Sequence, residues 1–261
     1  MANDRFPGKV VLVTGARGGF GARIAERLAA EGALLLLSDL GAEPGARLSP
    51  LVESGARYLA GDVADEAFHE TLVRAALDAF GRLDIAINNA GVVHPMAKLA
   101  QIDAAEARRI VDIDLMGVFY AMKHQLPVME RQFRASGKGG AIVNLASVAG
   151  LGAAPRLSVY AAAKHGVVGL TRSAAVEYAT KGIRVNAVCP SYARTPMAED
   201  FIRQFPEDQR AAAEAEMARG IPMKRLAEVE EVVEAVLFAA DPANSFMTGQ
   251  SIAVDGGLQA L

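Results

Sequence analysis

A tyrosine and a lysine stand four residues apart in "SVYAAAKHGVVGL", residues 158–170, a segment composed mostly of small and apolar residues. Four residues bring two side chains onto one face of a helix, about 6 Å apart along its axis. A neighbouring ammonium such as that of Lys164 favours the ionised form of a phenol such as that of Tyr160. The pair is therefore a candidate general acid and base that exchanges a proton with an alcohol or a ketone.

A serine ends the predicted strand "AIVNLAS" and lies 13 residues before Tyr160. In an open parallel sheet, ligands bind beyond the carboxyl ends of the strands. We therefore expect Ser147 at the same edge as Tyr160, where its hydroxyl can hydrogen-bond the substrate oxygen. Taken alone, the tyrosine and lysine fit better an amphipathic helix whose polar ends reach solvent; Ser147 and the motifs described next favour the chemical interpretation instead.

The segment "TGARGGFG", residues 14–21, is a second candidate site, because a predicted strand precedes it and a predicted helix follows it. Glycines at 15, 19 and 21 let a pyrophosphate approach backbone N–H groups at the start of a helix. Asp39 ends the second predicted strand, where a carboxylate accepts both ribose hydroxyls of an adenosine and repels a 2′-phosphate. Asp39 favours NAD over NADP, whereas the cation of Arg17 in the turn suits a 2′-phosphate.

Alternating strand and helix patterns must position these residues. We predict seven strands, at 9–14, 33–39, 56–62, 83–89, 141–147, 183–190 and 251–255. Helical patterns cover 20–31, 43–54, 65–80, 103–134, 158–180, 198–218 and 228–240. This order predicts an α/β fold, a single-domain Rossmann-like doubly wound parallel sheet with helices on both faces.

The interval from Ser191 to about Arg225 is longer than a standard crossover, and we interpret it as a substrate lid within that domain. Its apolar residues either line a substrate pocket or form the buried face of the lid helices. They are Met197, Phe201, Ile202, Phe205, Met217 and Met223.

The composition narrows the class of protein. Of 261 residues, 52% are hydrophobic and 22% are charged, and the formal net charge is −3. This balance is not typical of a nucleic-acid-binding protein or of a disordered chain. One cysteine, Cys189, allows no intramolecular disulfide and no Cys-rich metal site, and the apolar runs are too short to span a membrane. We expect a cytoplasmic protein with a small-molecule substrate and no metal, nucleic acid or membrane as partner.

Together these motifs resemble the short-chain dehydrogenase/reductase family over essentially the whole chain. The matching segments are "TGARGGFG", "DLG", "GDVAD", "NNAG", "VNLAS", "YAAAK", "RVNAVCP", "TP" and "VDGG". The resemblance implies hydride transfer between NAD and a secondary alcohol or ketone, and a homotetramer before a dimer. We keep two alternatives, an NADPH-dependent 3-oxoacyl-thioester reductase and a non-catalytic cofactor-binding sensor.

The resemblance also implies a role for each motif residue. Tyr160 would donate or accept the proton, Lys164 would assist it and hold the nicotinamide ribose, and Ser147 would orient the carbonyl. Asp39 would bind the adenosine ribose and Thr195 the carboxamide. The full set of cofactor-binding residues would be Gly15, Arg17, Gly19, Phe20, Gly21, Asp39, Leu40, Asp62, Val63, Asn89, Ala90, Gly91, Tyr160, Lys164, Pro190 and Thr195.

The sequence departs from the family pattern at a fourth catalytic position. In "VDIDLMGVF" it has Asp114 where the family usually has an asparagine, which helps to hold a water largely through its backbone carbonyl. An aspartate keeps that carbonyl, but its carboxylate near Lys164 would stabilise the ammonium and oppose a phenolate. The alternative is that Asp114 is simply tolerated.

Three other residues with reactive side chains receive structural interpretations. We interpret His94 as a solvent-facing loop residue in preference to a residue at the edge of the substrate pocket, His165 as a packing residue and Cys189 as an inert core thiol.

Overall fold

Seven parallel strands form one sheet, as the sequence predicted. They are β1 (Val10–Thr14), β2 (Leu34–Asp39), β3 (Arg57–Ala60), β4 (Ile85–Asn88), β5 (Gly140–Leu145), β6 (Ile183–Pro190) and β7 (Ser251–Val254). Their order across the sheet is β3-β2-β1-β4-β5-β6-β7. The computed structural model describes residues 5–203 and 205–260, without the side chains at 197, 200 and 201. Met197 and Phe201 of the predicted lid therefore lie outside the described side chains.

Nine helices are present in the described part of the chain. They are α1 (Gly19–Ala30), α2 (Gly45–Glu53), α3 (Glu66–Phe80), α4 (Ala104–Val111), α5 (Gly117–Ser136), α6 (Ser158–Tyr178), α7 (Pro196–Arg203), α8 (Glu207–Ala218) and α9 (Val229–Ala240). Among the described residues, none of these helices combines the length and the apolar character that a membrane crossing requires.

The sheet separates two hydrophobic cores. Alternate residues of β1 point to opposite faces, so that Val11 and Val13 pack with α1 and α9 while Val10 and Leu12 pack with α3, α5 and α6. All five residues of β1 and all eight of β6 are buried. This two-sided burial explains why β1 reads as a nearly continuous apolar run and why β6 is mostly apolar.

Two predicted helices are interrupted in the structure. The pattern over 103–134 divides into α4 and α5, with a π-helical turn at Asp112–Met116 between them. The pattern over 198–218 divides into α7 and α8, and Pro206 occupies the N-terminal cap of α8. A proline has no backbone N–H, so it is suited to the start of a helix and not to its interior.

The chain order of the strands reverses at β1, which pairs with β2 on one side and with β4 on the other. Ligands of open α/β sheets bind at such a reversal, beyond the carboxyl ends of the strands. The glycine-rich turn follows β1, and Asn89–Gly91 follow β4. The fold therefore brings both predicted cofactor motifs to one crevice.

Candidate functional site

The turn after β1 leaves no space for a side chain at two of its glycines. Gly15 has a φ of +62°, and a Cβ there would lie 2.7 Å from the Cα of Ala90. A Cβ on Gly21 would lie 2.1 Å from the carbonyl oxygen of Gly15. The side-chain amide of Asn89 donates to the carbonyl oxygens of Thr14 and Gly15, at 3.0 and 2.9 Å. Asn89 thus ties the end of β4 to the glycine turn.

The N-terminus of α1 points its backbone N–H groups out of this turn. Its cap residue is Gly18, no side chain caps the helix, and its first turn contains no acidic residue. Free N–H groups and the positive end of the helix dipole form a site for an anionic group such as a pyrophosphate. A Cβ on Gly19 would lie 2.8 Å from Pro196 and 3.1 Å from Thr195, so the first residues of the predicted lid pack on the turn.

The carboxylate of Asp39 and the guanidinium of Arg17 both lie at the turn beyond β2. Asp39 accepts hydrogen bonds from the backbone N–H groups of Arg17 and Leu40, both at 2.8 Å. The Arg17 side chain lies across Gly41, where a Cβ would be 1.5 Å from its Nη1. The structure therefore places Asp39, which favours NAD, and Arg17, which suits NADP, next to each other at the end of β2.

The predicted adenine-binding residues lie on the loop after β3. Asp62 accepts a hydrogen bond from the backbone N–H of Ala64 at 2.9 Å. The carbonyl oxygen of Val63 is 2.8 Å from Nε2 of the buried His69, and Val63 also contacts Gly117 at the start of α5. This loop is thus fixed to the helices α3 and α5.

Lys164 is buried at the carboxyl edge of the sheet. Its Nζ donates to the carbonyl oxygen of Leu145 at 3.1 Å and lies 3.1 Å from Oδ2 of Asp114. The same Nζ is 5.5 Å from the centroid of the Tyr160 ring. Tyr160 itself is half-buried. The structure brings together the tyrosine, the lysine and the aspartate that the sequence singled out.

Asp114 is fully buried on the π-helical turn. Its Oδ1 accepts the backbone N–H of Val92 at 2.8 Å, while its Oδ2 contacts Lys164 as an ion pair and has no well-oriented hydrogen bond among the described residues. Burial lowers the pKa of Lys164, but the charges of Asp114 and Tyr160 outweigh burial and hold that pKa above its ordinary value. The amine is therefore an ammonium at neutral pH.

Ser147 begins the turn after β5 and is buried. Its Oγ accepts the backbone N–H of Ala149 at 3.1 Å and makes a long bond of 3.5 Å to the carbonyl oxygen of Pro190. The hydroxyl proton is thus weakly held, and a substrate oxygen can compete for it. Pro190 ends β6 as predicted, whereas β5 ends at Leu145, so that Ser147 lies two residues beyond that strand at the same edge of the sheet.

Tyr192 is a candidate site residue that the sequence reasoning did not single out. Burial and the neighbouring Tyr160 raise the pKa of Tyr192 above its ordinary value. Its ring is 39% exposed, so it borders the open side of the site. The only sequence signal was an aromatic residue two positions after the end of a buried strand.

Two histidine predictions were wrong. His94 is 3% exposed, not solvent-facing: its Nδ1 bonds the carbonyl oxygen of Pro95 at 2.8 Å. Its loop is held down because the backbone N–H of Ala97 bonds the carbonyl oxygen of Arg156 at 3.0 Å. His165 is exposed on α6 and does not pack in the core. Cys189 is buried as predicted, and burial raises the pKa of its thiol to about 11.

A cleft of about 250 Å³ in the predicted lid region lies between α7, α8 and the segment that enters α9. Most of its lining side chains are charged, among them Arg194, Glu199 and Glu214. Met223 is exposed and Ile202 borders the cleft. The cleft therefore does not match the apolar substrate pocket that was one of the two interpretations of the lid. No cluster of three or more metal-ligating side chains occurs in the described ranges.

The chain is similar to known enzymes over nearly its full length. A family model described as enoyl-(acyl carrier protein) reductase, of the short-chain alcohol dehydrogenase type, matches residues 15–259. Cis-4-hydroxycyclohexanecarboxylate dehydrogenase of Sinomonas cyclohexanicum is 44% identical, covering 99% of both chains. Cyclohexanol dehydrogenase of an Acinetobacter species is 38% identical, covering 98% of this chain and 97% of that one. The crystal structure of levodione reductase superposes with a TM-score of 0.89 at 38% identity, over 98% and 99% of the two chains.

Proposed function

Since this chain belongs to the short-chain dehydrogenase/reductase family and is an oxidoreductase acting on secondary alcohols and ketones, we propose that it uses NAD as cofactor and Tyr160 as general acid and base. The observation that carries the proposal is the buried Lys164 ammonium beside Tyr160. This pair lies at the same sheet edge as a glycine turn that fits a pyrophosphate.

The chain's own residues supply the proton chemistry. Ser147 Oγ donates a hydrogen bond to the alcohol oxygen, and the Tyr160 phenolate accepts the hydroxyl proton. The Lys164 ammonium stabilises that phenolate before the proton arrives. The bound nicotinamide supplies the acceptor for the hydride that leaves the carbinol carbon as its C=O bond forms. In the reverse direction, Tyr160 returns the proton to the carbonyl oxygen.

The preference for NAD is proposed from Asp39. Two backbone N–H groups fix its carboxylate at the end of β2, which leaves oxygen lone pairs for the two hydroxyls of an adenosine ribose. The same charge would repel a 2′-phosphate. Arg17 is the opposing feature, and it supports the alternative, an NADPH-dependent reductase.

The proposed substrate is a cyclic secondary alcohol or the corresponding ketone. Two relatives are named for substrates that have a hydroxyl group on a cyclohexane ring, and one of these substrates also has a carboxylate on the ring. Linear secondary alcohols, polyols, steroids and hydroxy acids are the comparison classes.

The test is a set of initial rates with NAD⁺ and NADP⁺ on cyclohexanol, 4-hydroxycyclohexanecarboxylate and the comparison classes. We expect NAD⁺ to give the higher kcat/KM and the Tyr160→Phe variant to lose at least about 100-fold. Tyr178→Phe, which makes the same change at the far end of α6, is the matched control and should keep full activity. Higher activity with NADP⁺ would contradict the assignment to Asp39. Activity that survives in Tyr160→Phe would contradict the assigned proton donor. Tight NADH binding without turnover of any substrate would favour the cofactor-binding sensor.

Three further predictions accompany this function: a homotetramer, a cytoplasmic location and a substrate lid over about 191–225. The tetramer is supported by large apolar side chains left exposed in the single chain, as at a surface that another subunit covers. Phe246 is fully exposed, Val176 on α6 is 81% exposed and Phe238 on α9 is 49% exposed.

A further inference from the structure

The carboxylate of Asp114 and the ammonium of Lys164 form a buried pair that faces the cofactor crevice. Their Oδ2 and Nζ atoms are 3.1 Å apart, and neither side chain reaches solvent appreciably. A Cβ on Gly91 would lie 3.2 Å from that Nζ and 3.4 Å from that Oδ2. Gly91, one of the predicted cofactor-binding residues, therefore packs its backbone directly against the pair.

Three other titratable or charged groups among the described residues lie around the pair, and the first is Tyr160, whose charge as a phenolate also raises the pKa of Lys164. The Cys189 thiol is neutral, because burial raises its pKa to about 11. Arg109, whose charge interacts with Asp114, is bound to both oxygens of Glu106, at 2.9 and 2.7 Å. Replacing Asp114 by the asparagine of the family pattern would therefore make the net charge at this edge more positive by one unit, whether Tyr160 is a phenol or a phenolate.

We propose that Asp114 makes this enzyme bind the oxidised cofactor more tightly relative to the reduced one. The nicotinamide ring is a cation in NAD⁺ and neutral in NADH, so one added unit of positive charge at this edge would weaken the binding of only the oxidised form. The carboxylate of Asp114 has the opposite effect and favours NAD⁺. A unit charge acting over roughly 10 Å at an effective dielectric constant of about 20 changes a binding ratio by about tenfold.

This inference rests on the proposed function, because it needs a nicotinamide at the Lys164 edge. It also predicts which direction of the reaction, oxidation of the alcohol or reduction of the ketone, the enzyme favours. A catalyst leaves the overall equilibrium constant of the reaction unchanged. The effect of Asp114 is therefore on the relative affinity of the enzyme for NAD⁺ and NADH. Tighter binding of NAD⁺ with unchanged binding of NADH lets the oxidised cofactor occupy more of the enzyme when the two compete, and this favours oxidation of the alcohol.

The test is a pair of calorimetric titrations, with NAD⁺ and with NADH, of the wild type, Asp114→Asn and Asp112→Asn at one pH and ionic strength. Asp112 lies on the same π-helical turn but is exposed, so Asp112→Asn removes an equal charge from the surface. We expect Asp114→Asn to raise the ratio of Kd for NAD⁺ to Kd for NADH about tenfold, and Asp112→Asn to leave it unchanged.

A distorted site would weaken both nucleotides alike and leave the ratio unchanged, and that result would overturn the inference. Asp114→Ser removes the same charge with a different shape, so it must raise the ratio as Asp114→Asn does; opposite changes in the two variants would also overturn it. If the wild type bound neither NAD(H) nor NADP(H), the proposed function itself would be wrong.

Discussion

Removing one member of the Lys164–Asp114 pair should destabilise the protein far more than removing both. Lys164→Met leaves the Asp114 carboxylate buried with one backbone N–H as its partner. Asp114→Asn leaves the Lys164 ammonium with the carbonyl oxygen of Leu145. Breaking a buried pair in this way costs about 3–5 kcal/mol, a large part of the roughly 5–15 kcal/mol by which domains are stable.

The double variant Lys164→Met/Asp114→Asn contains neither charge. A neutral replacement of a buried ion pair is often close to neutral in stability. We therefore expect the double variant to be at least about 2 kcal/mol more stable than Lys164→Met alone. This coupling is a property of the pair and does not depend on whether either residue is catalytic.

The assay is urea unfolding of the four proteins at pH 7, followed by circular dichroism at one protein concentration. The pKa of Lys164 in the folded protein lies above its ordinary value of 10.5. Its contribution to stability is therefore fully present below about pH 10.5 and is lost only as the pH rises through the higher folded value. A double variant no more stable than Lys164→Met would refute the reasoning, because the two charges would then not compensate each other.

Two further predictions concern the glycine turn and the surface of α1. Gly21→Ala should weaken NADH binding at least about tenfold, because the added Cβ would lie 2.1 Å from the carbonyl oxygen of Gly15 and would force the turn open. A fluorescence titration with NADH measures this. Gly169→Ala is the control, because a Cβ there meets no atom within 4 Å. Glu31→Gln should cost about 1 kcal/mol at pH 7, because the hydrogen bonds from Arg5 and Arg27 hold the pKa of Glu31 below its ordinary value of 4.5. That contribution is present above about pH 4.5 and is lost as the pH falls through the lowered value. The stability difference between wild type and Glu31→Gln should therefore shrink progressively below about pH 4.5, and a difference that did not change with pH would contradict the prediction.

The strands were the most predictable part of the fold. The sequence interpretation of β6 as 183–190 agrees with the structure residue for residue, and the other strands differ by at most two residues at an end. Strands buried on both faces are mostly apolar, so their composition marks them even where a buried polar residue interrupts the run, as Arg184 and Asn186 do in β6. The order of the motifs along the chain then placed Gly15, Asp39 and Ser147 at carboxyl ends.

Contacts between residues distant in the sequence explain what was missed. The π-helical turn at Asp112–Met116 interrupts a pattern that is periodic throughout, and it is held where Asp114 meets Val92 and Lys164. The burial of His94 depends in the same way on a loop held by a backbone bond between Ala97 and Arg156. Neither contact can be predicted from the periodicity or the composition of the local sequence.

The small residues around Tyr160 and Lys164 now have a physical reason. A Cβ on Gly166 of α6 would lie 2.7 Å from the Leu115 side chain on the π-helical turn. A Cβ on Gly150, in the turn after Ser147, would lie 2.6 Å from the carbonyl oxygen of Lys164. Larger side chains at either position would push α6 away from Asp114 or from Ser147. The glycines therefore set the distances at which one lysine can contact an aspartate, a strand carbonyl and a tyrosine at once.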